Sequence, residues 1–76
     1  MDSEKLKQRI GANIAAFRRQ LGMTQAELSA RSGVPQPVIC EIETGKTADP
    51  AGSTLYKLSR ALRCAMEDLM PEEKGA

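Results

Sequence analysis

Gln36, Pro37, Cys40 and Glu41 are the residues of this 76-residue chain whose types and spacing point to chemistry, and that chemistry is recognition rather than reaction. At helical spacing Gln36 stands over Cys40 and Pro37 over Glu41, so an amide, a carboxylate, a thiol and an apolar ring share one face. The chain has no His, no glycine-rich phosphate loop and no acid–base constellation, which leaves it without catalytic machinery. Cys40 and Cys64 lie far apart and, with no His, outline neither a zinc site nor a disulfide framework. No metal or cofactor is therefore expected, and reduced thiols suit a cytoplasmic setting.

The elements that must position this face are legible around it. Thr24 with Glu27 three residues on reads as a capping box, in which hydroxyl and carboxylate each accept from a backbone N–H at the mouth of a helix running roughly from Gln25 to Arg31. Leu28 turns inward, Ser29 is small enough for a second helix to approach, and Gly33 supplies the left-handed residue that ends the segment. Ile39 and Ile42, three apart with Val34 behind them, give the next helix, about Gln36 to Thr44, its buried stripe. Pro35 and Pro37 are tolerated at its start, where a missing N–H costs no hydrogen bond. Upstream, Leu6, Ile10, Ile14, Phe17 and Leu21 form one apolar stripe on a helix from Lys5 to Gln20, stopped by Gly22. Downstream, a polar loop from Lys46 to Gly52 leads to a fourth helix that Ser53 caps, with Leu55, Leu58, Ala61 and Leu62 inward and Tyr56, Lys57 and Arg60 outward. A fifth, from about Ala65 to Met70, ends at Pro71.

Composition supports one small all-α domain. With one Phe, one Tyr and no Trp, the core must come from Leu, Ile, Val, Ala and Met. The net charge of +1 conceals an uneven distribution: ten basic residues against six acidic ones through Arg63, and one against four beyond it. The acidic end masks a mildly basic body, as nucleic-acid binding favours. The polar start and the lack of any long apolar run argue against a secretory signal or a membrane span. Residues 1–71 are expected to form the domain and 72–76 a flexible acidic tail.

From about Ile10 to Leu69, and most specifically through Leu21-Gly22-Met23-Thr24-Gln25, Gly33-Val34, Ile39, Ile42 and Glu43-Thr44-Gly45-Lys46, the chain resembles the phage repressor/Cro-type helix-turn-helix regulators, the XRE family. The resemblance implies a compact five-helix bundle of the lambda-repressor-like type, whose second and third helices form the helix-turn-helix. It also implies a sequence-specific transcriptional regulator, a repressor, that binds double-stranded DNA through the major groove. Gln36, Pro37, Cys40 and Glu41 would then face bases. A Gln at the start of the recognition helix can bond adenine N6 and N7 together, and a Pro can touch only a thymine methyl. Cys40 stands where Ser is common and reads as a small residue that lets the helix enter the groove. Glu41 stands where many relatives carry Arg or Gln. A carboxylate beside phosphates is repelled unless it accepts from cytosine N4 or pairs with a basic side chain. Gln25, Lys46 and Thr47, with Arg19 from the first helix, match the phosphate-holding positions, which orient the protein without reading sequence. Gln25 also matches a residue that braces the first recognition-helix side chain, and Arg18 and Glu43 match a charged pair that ties helices together. Arg63 and Ala65 depart from the usual capping Gly and the usual capping Ser or Thr, so the junction of the last two helices should be strained or differently shaped.

One recognition helix covers few base pairs, so two copies about 34–36 Å apart are needed to read successive grooves of a palindromic operator. A homodimer follows, with Met66, Leu69 and Met70 as its contact. The competing reading is the antitoxin of a toxin–antitoxin pair with autoregulatory DNA binding, its acidic Met66 to Glu73 end docking a basic toxin.

Overall fold

The apolar periodicities fold into five helices: α1 Ser3–Gln20, α2 Gln25–Ser32, α3 Gln36–Glu43, α4 Gly52–Ala61 and α5 Met66–Leu69. The structure is a computed structural model and describes residues 3–46 and 50–70, with side chains from Arg9 onward in α1. The expectations for Thr47, for the Leu6 side chain, for Pro71 and for the tail 72–76 lie outside the described residues. Among those described, all regular structure is helical.

α1 packs across α3 and α5, α2 packs on α3 and α4, and α4 meets α5. Every element sends its stripe to one centre: Ile10 and Ile14 from α1, Leu28 from α2, Ile39 and Ile42 from α3, Leu55, Leu58 and Leu62 from α4 and Leu69 from α5, with Met23 and Val34 between helices. Phe17, Ala61 and Cys64 pack against this core from its margin. Each fully buried aliphatic side chain contributes about 1.5–3 kcal/mol relative to exposure, so the shared centre, rather than local propensity, holds these short helices.

Two expectations are corrected. Leu21 is not the last residue of the α1 stripe but is 47% exposed. The helix ends at Gln20, and a Schellman turn closes it: Gly22 N–H donates to Arg19 O (3.0 Å) and Met23 N–H to Arg18 O (3.0 Å). This reversal swings Leu21 outward and places Met23, 6% exposed, in the core instead. Nor does Ser53 cap α4. Ala51 is the N-cap, without a side-chain acceptor, and its carbonyl takes the N–H of buried Leu55 at 3.0 Å. Pairing that buried amide within the helix outweighs a Ser cap worth about 1 kcal/mol.

The junction of α4 and α5 is strained as anticipated. Arg63 N–H donates to Arg60 O (3.2 Å) and Cys64 N–H to Ser59 O (3.0 Å), the same Schellman closure as at α1, but the left-handed residue is Arg63 at φ 57°. At the mouth of α5 the Asp68 carboxylate accepts from Ala65 N–H (2.9 Å), while Ala65 has no hydroxyl to return the bond. The short helix is secured from outside by Asn13, whose Nδ2 donates to Leu69 O at 3.0 Å.

Gly11 marks a close interhelical approach. It is buried in α1 against the end of α3, and a Cβ there would overlap the Ile42 carbonyl and stand 3.1 Å from Glu43 Cα. Gly11→Ala should therefore lose about 2 kcal/mol from overpacking against backbone, despite the roughly 0.5–1 kcal/mol that Ala gains in helix propensity. Arg63→Gly, which relieves the left-handed strain, should gain about 1 kcal/mol. Urea unfolding of both variants beside wild type measures these opposite changes.

Candidate nucleic-acid interface

The outward face of α3 is set by what precedes it. Thr24 Oγ1 accepts from Glu27 N–H (3.1 Å) and Glu27 Oε1 accepts from Thr24 N–H (3.1 Å), so the capping box is complete and starts α2 at Gln25. The hydrogen bond from the Thr24 backbone, followed by that with its side chain, holds the Glu27 carboxyl below its ordinary value. At the other end Gly33, φ 77°, donates its N–H to Ser29 O at 2.9 Å. Ser29 Oγ donates to Val34 O (2.6 Å) and Val34 N–H to Ser32 Oγ (3.1 Å), which satisfies the turn. Pro35 then caps α3, its carbonyl accepting from Val38 N–H (3.0 Å) and Ile39 N–H (3.2 Å). Pro37 occupies the second helical position, where no intrahelical partner is lost.

With Ile39 and Ile42 buried at 0% and 2%, the register of α3 is fixed, and Gln36, Pro37, Cys40 and Glu41 are all exposed on its opposite side. Val38, 37% exposed, stands at the edge of this face and was missed. Its position one residue before the buried Ile39 was the available signal. A third Schellman turn ends the helix: Gly45 N–H donates to Ile42 O (3.1 Å) and Lys46 N–H to Glu41 O (2.9 Å), leaving the Lys46 side chain exposed just beyond α3.

An ion pair orients the whole face. Arg18 Nε donates to Glu43 Oε2 at 2.8 Å and Nη2 to Oε1 at 2.9 Å, a bidentate contact joining α1 to the end of α3. The side chains are 11% and 6% exposed. Arg18 Nη1 also donates to Met23 O (2.9 Å), bringing in the turn before α2. The hydrogen bond to Glu43 raises the Arg18 pKa, against burial. Burial pushes the Glu43 carboxyl up, but the hydrogen bonds from Arg18 and Gln25 and the charges of Arg18 and Arg19 outweigh it and hold the carboxyl below its ordinary value.

Gln25 spends its side-chain amide on this cluster: Nε2 donates to Glu43 Oε1 at 3.0 Å, so it braces the end of α3 rather than Gln36 at its start. Of the first-turn N–H groups of α2, that of Glu27 is taken by Thr24 Oγ1, which leaves those of Gln25 and Ala26 as donors beside it. Arg19 is exposed, and its charge helps to hold the Glu43 carboxyl down. Leu69, expected at an intersubunit contact, is 0% exposed and belongs to the core, because α5 is too short to carry both an inward stripe and a wide outward one. Met66 and Met70 are 36% and 39% exposed. No helix among the described residues is long and apolar enough to cross a membrane.

Residues 14–69 match the model of the helix-turn-helix family HTH_3. The chain is 40% identical, over 70 residues covering 92% of its length and 86% of the relative's, to the uncharacterised HTH-type transcriptional regulator y4dJ of Sinorhizobium fredii. Among solved structures it is 35% identical to the P22 c2 repressor protein in complex with a synthetic operator, with a TM-score of 0.77 over 87% of this chain and 98% of that one. It is 28% identical to SinR, the master regulator for biofilm formation, in complex with DNA, with a TM-score of 0.77 over 79% and 95% of the two chains.

Removing either partner of the Arg18–Glu43 pair strands a largely buried charge, so Arg18→Ala and Glu43→Ala should each lose about 3 kcal/mol in urea unfolding at neutral pH. Because the folded state lowers the Glu43 pKa from 4.5, its contribution is complete above that value and is lost as pH falls through the lowered one. Stability should therefore fall with acidification in that window for wild type and less steeply for Glu43→Gln.

Proposed function

We propose, for a chain that belongs to the helix-turn-helix family HTH_3 of DNA-binding transcriptional regulators rather than enzymes, that it is a repressor binding a palindromic operator as a homodimer. α3 enters the major groove, with Gln36, Pro37, Cys40 and Glu41 facing base edges. The observation that carries this reading is the register of α3. Its two Ile side chains are buried, its last Glu is held by Arg18, and its four candidate readers are exposed together.

The phosphate contacts are assigned to the N–H groups at the start of α2 beside Gln25, to the Lys46 and Thr47 segment, and to Arg19. Fixed donors and cations beside the C-terminal end of the recognition helix orient it in the groove and make affinity fall with salt. Gln36, at the first position of α3, takes the N6 and N7 edge of adenine. Two copies related by a two-fold axis read half-sites about 34–36 Å apart, and the exposed Met66 and Met70 supply apolar surface for their contact.

Selection from a random duplex pool at two salt concentrations tests this. Wild type should enrich a pseudo-palindrome, and Gln36→Ala should relax one position in each half-site at a cost of about 1–3 kcal/mol. Lys46→Ala should weaken all sequences alike and reduce the salt dependence by about one phosphate contact. Failure of any sequence to enrich at low salt would refute operator binding.

A further inference from the structure

Glu41 is the charge on α3 that the fold does not use. The other acidic residue of the helix, Glu43, is neutralised by Arg18, whereas Glu41 is exposed and makes neither a salt bridge nor a side-chain hydrogen bond among the described residues. The backbone carbonyl of Glu41 is occupied by Lys46 N–H (2.9 Å) and Thr44 Oγ1 (3.2 Å), which firms the helix end that presents the side chain. A carboxylate brought toward phosphates needs a donor to offset its desolvation and repulsion. Of the two compensations open to it, a basic partner and a base amino group, the first is not made: no Lys or Arg side chain among the described residues forms a salt bridge with it.

The chemistry of base edges narrows the second. A carboxylate only accepts, whereas guanine shows N7 and O6 and thymine shows O4, which are acceptors too. Adenine offers its N6 amino group beside the acceptor N7, and cytosine offers its N4 amino group with no ring acceptor next to it in the groove. α3 itself carries no Lys or Arg, so the familiar two-bond contact of Arg with guanine is not available from this helix.

We infer that Glu41 selects cytosine in each half-site by accepting from the N4 amino group. The inference deepens the groove-facing reading of α3 and rests on it. Glu41 follows Gln36 by five residues, an advance of about 7.5 Å along the helix, against about 3.4 Å per base pair. The selected cytosine therefore lies within about two base pairs of the adenine read by Gln36. Glu41 supplies discrimination mainly by exclusion, since guanine and thymine there leave its carboxylate unpaired and facing acceptors.

The test is selection from a random duplex pool with wild type, Glu41→Gln and Glu41→Ala, followed by titration of the selected duplex and its single-base variants. Thermal unfolding confirms that variants of this exposed residue remain folded. Wild type should enrich cytosine at one position per half-site, and replacing it should weaken binding roughly 5- to 150-fold. Glu41→Gln should move the preference at that position alone to adenine, and Glu41→Ala should abolish it. A pseudo-palindrome without such a cytosine, or a Glu41→Gln protein that binds every sequence more tightly with unchanged preference, would overturn the assignment to cytosine while leaving operator binding intact. If no sequence enriches for wild type, operator binding falls, and the role of Glu41 with it.

Discussion

The bidentate contact between Arg18 and Glu43 is the interaction on which the placement of α3 against α1 and the start of α2 depends. α3 is eight residues long, too short to be stable alone, and its N-terminal half is pinned by Ile39 and by the turn from α2. At its C-terminal end the guanidinium grips Glu43, the Met23 carbonyl ties the same group to the turn before α2, and Gln25 completes the shell. Three helices thus meet at one carboxylate. Each of its partners donates with defined geometry, which offsets burial and leaves Glu43 charged at neutral pH.

That pair works because the backbones are allowed to come close. Gly11 lets α1 rest directly on the Ile42 carbonyl, one residue before Glu43, so the helix crossing and the ion pair are parts of the same contact. The apolar side chains then fix the rotation of α3 about its axis, while the charged contact fixes its slide along α1. Position in both senses decides which residues α3 presents outward, because an error of one residue in the register would turn Ile39 toward solvent and Cys40 toward the core.

Most of this was legible in the sequence wherever a local rule decides. The capping box of Thr24 and Glu27, the turn at Gly33, the inward Ile39 and Ile42 and the outward Gln36, Pro37, Cys40 and Glu41 all follow from hydrogen-bonding and periodicity within a few residues. The Arg18–Glu43 pair was reached only through resemblance, since nothing in 25 residues of separation declares a contact. What escaped depended on tertiary context. Gly11 reads as a weak helix residue until the approach of α3 explains it, and Asn13 until the Leu69 carbonyl lies above it. Leu21 fits the α1 periodicity yet falls on the wrong side of a helix end, and Leu69 looks available until the core is seen to claim it. Periodicity cannot see where a helix stops, nor how much of a four-residue helix the interior will take.

The separation of duties on α3 has an evolutionary consequence. Its inner side chains and its last Glu build the fold, while Gln36, Cys40 and Glu41 make no side-chain hydrogen bond to it among the described residues. Exposed positions of this kind usually change stability by no more than about 0.5 kcal/mol when substituted. This exposed face can therefore drift, residue by residue, without putting folding at risk. One scaffold can carry many different outward faces, and a duplicated copy can change its own in a few steps.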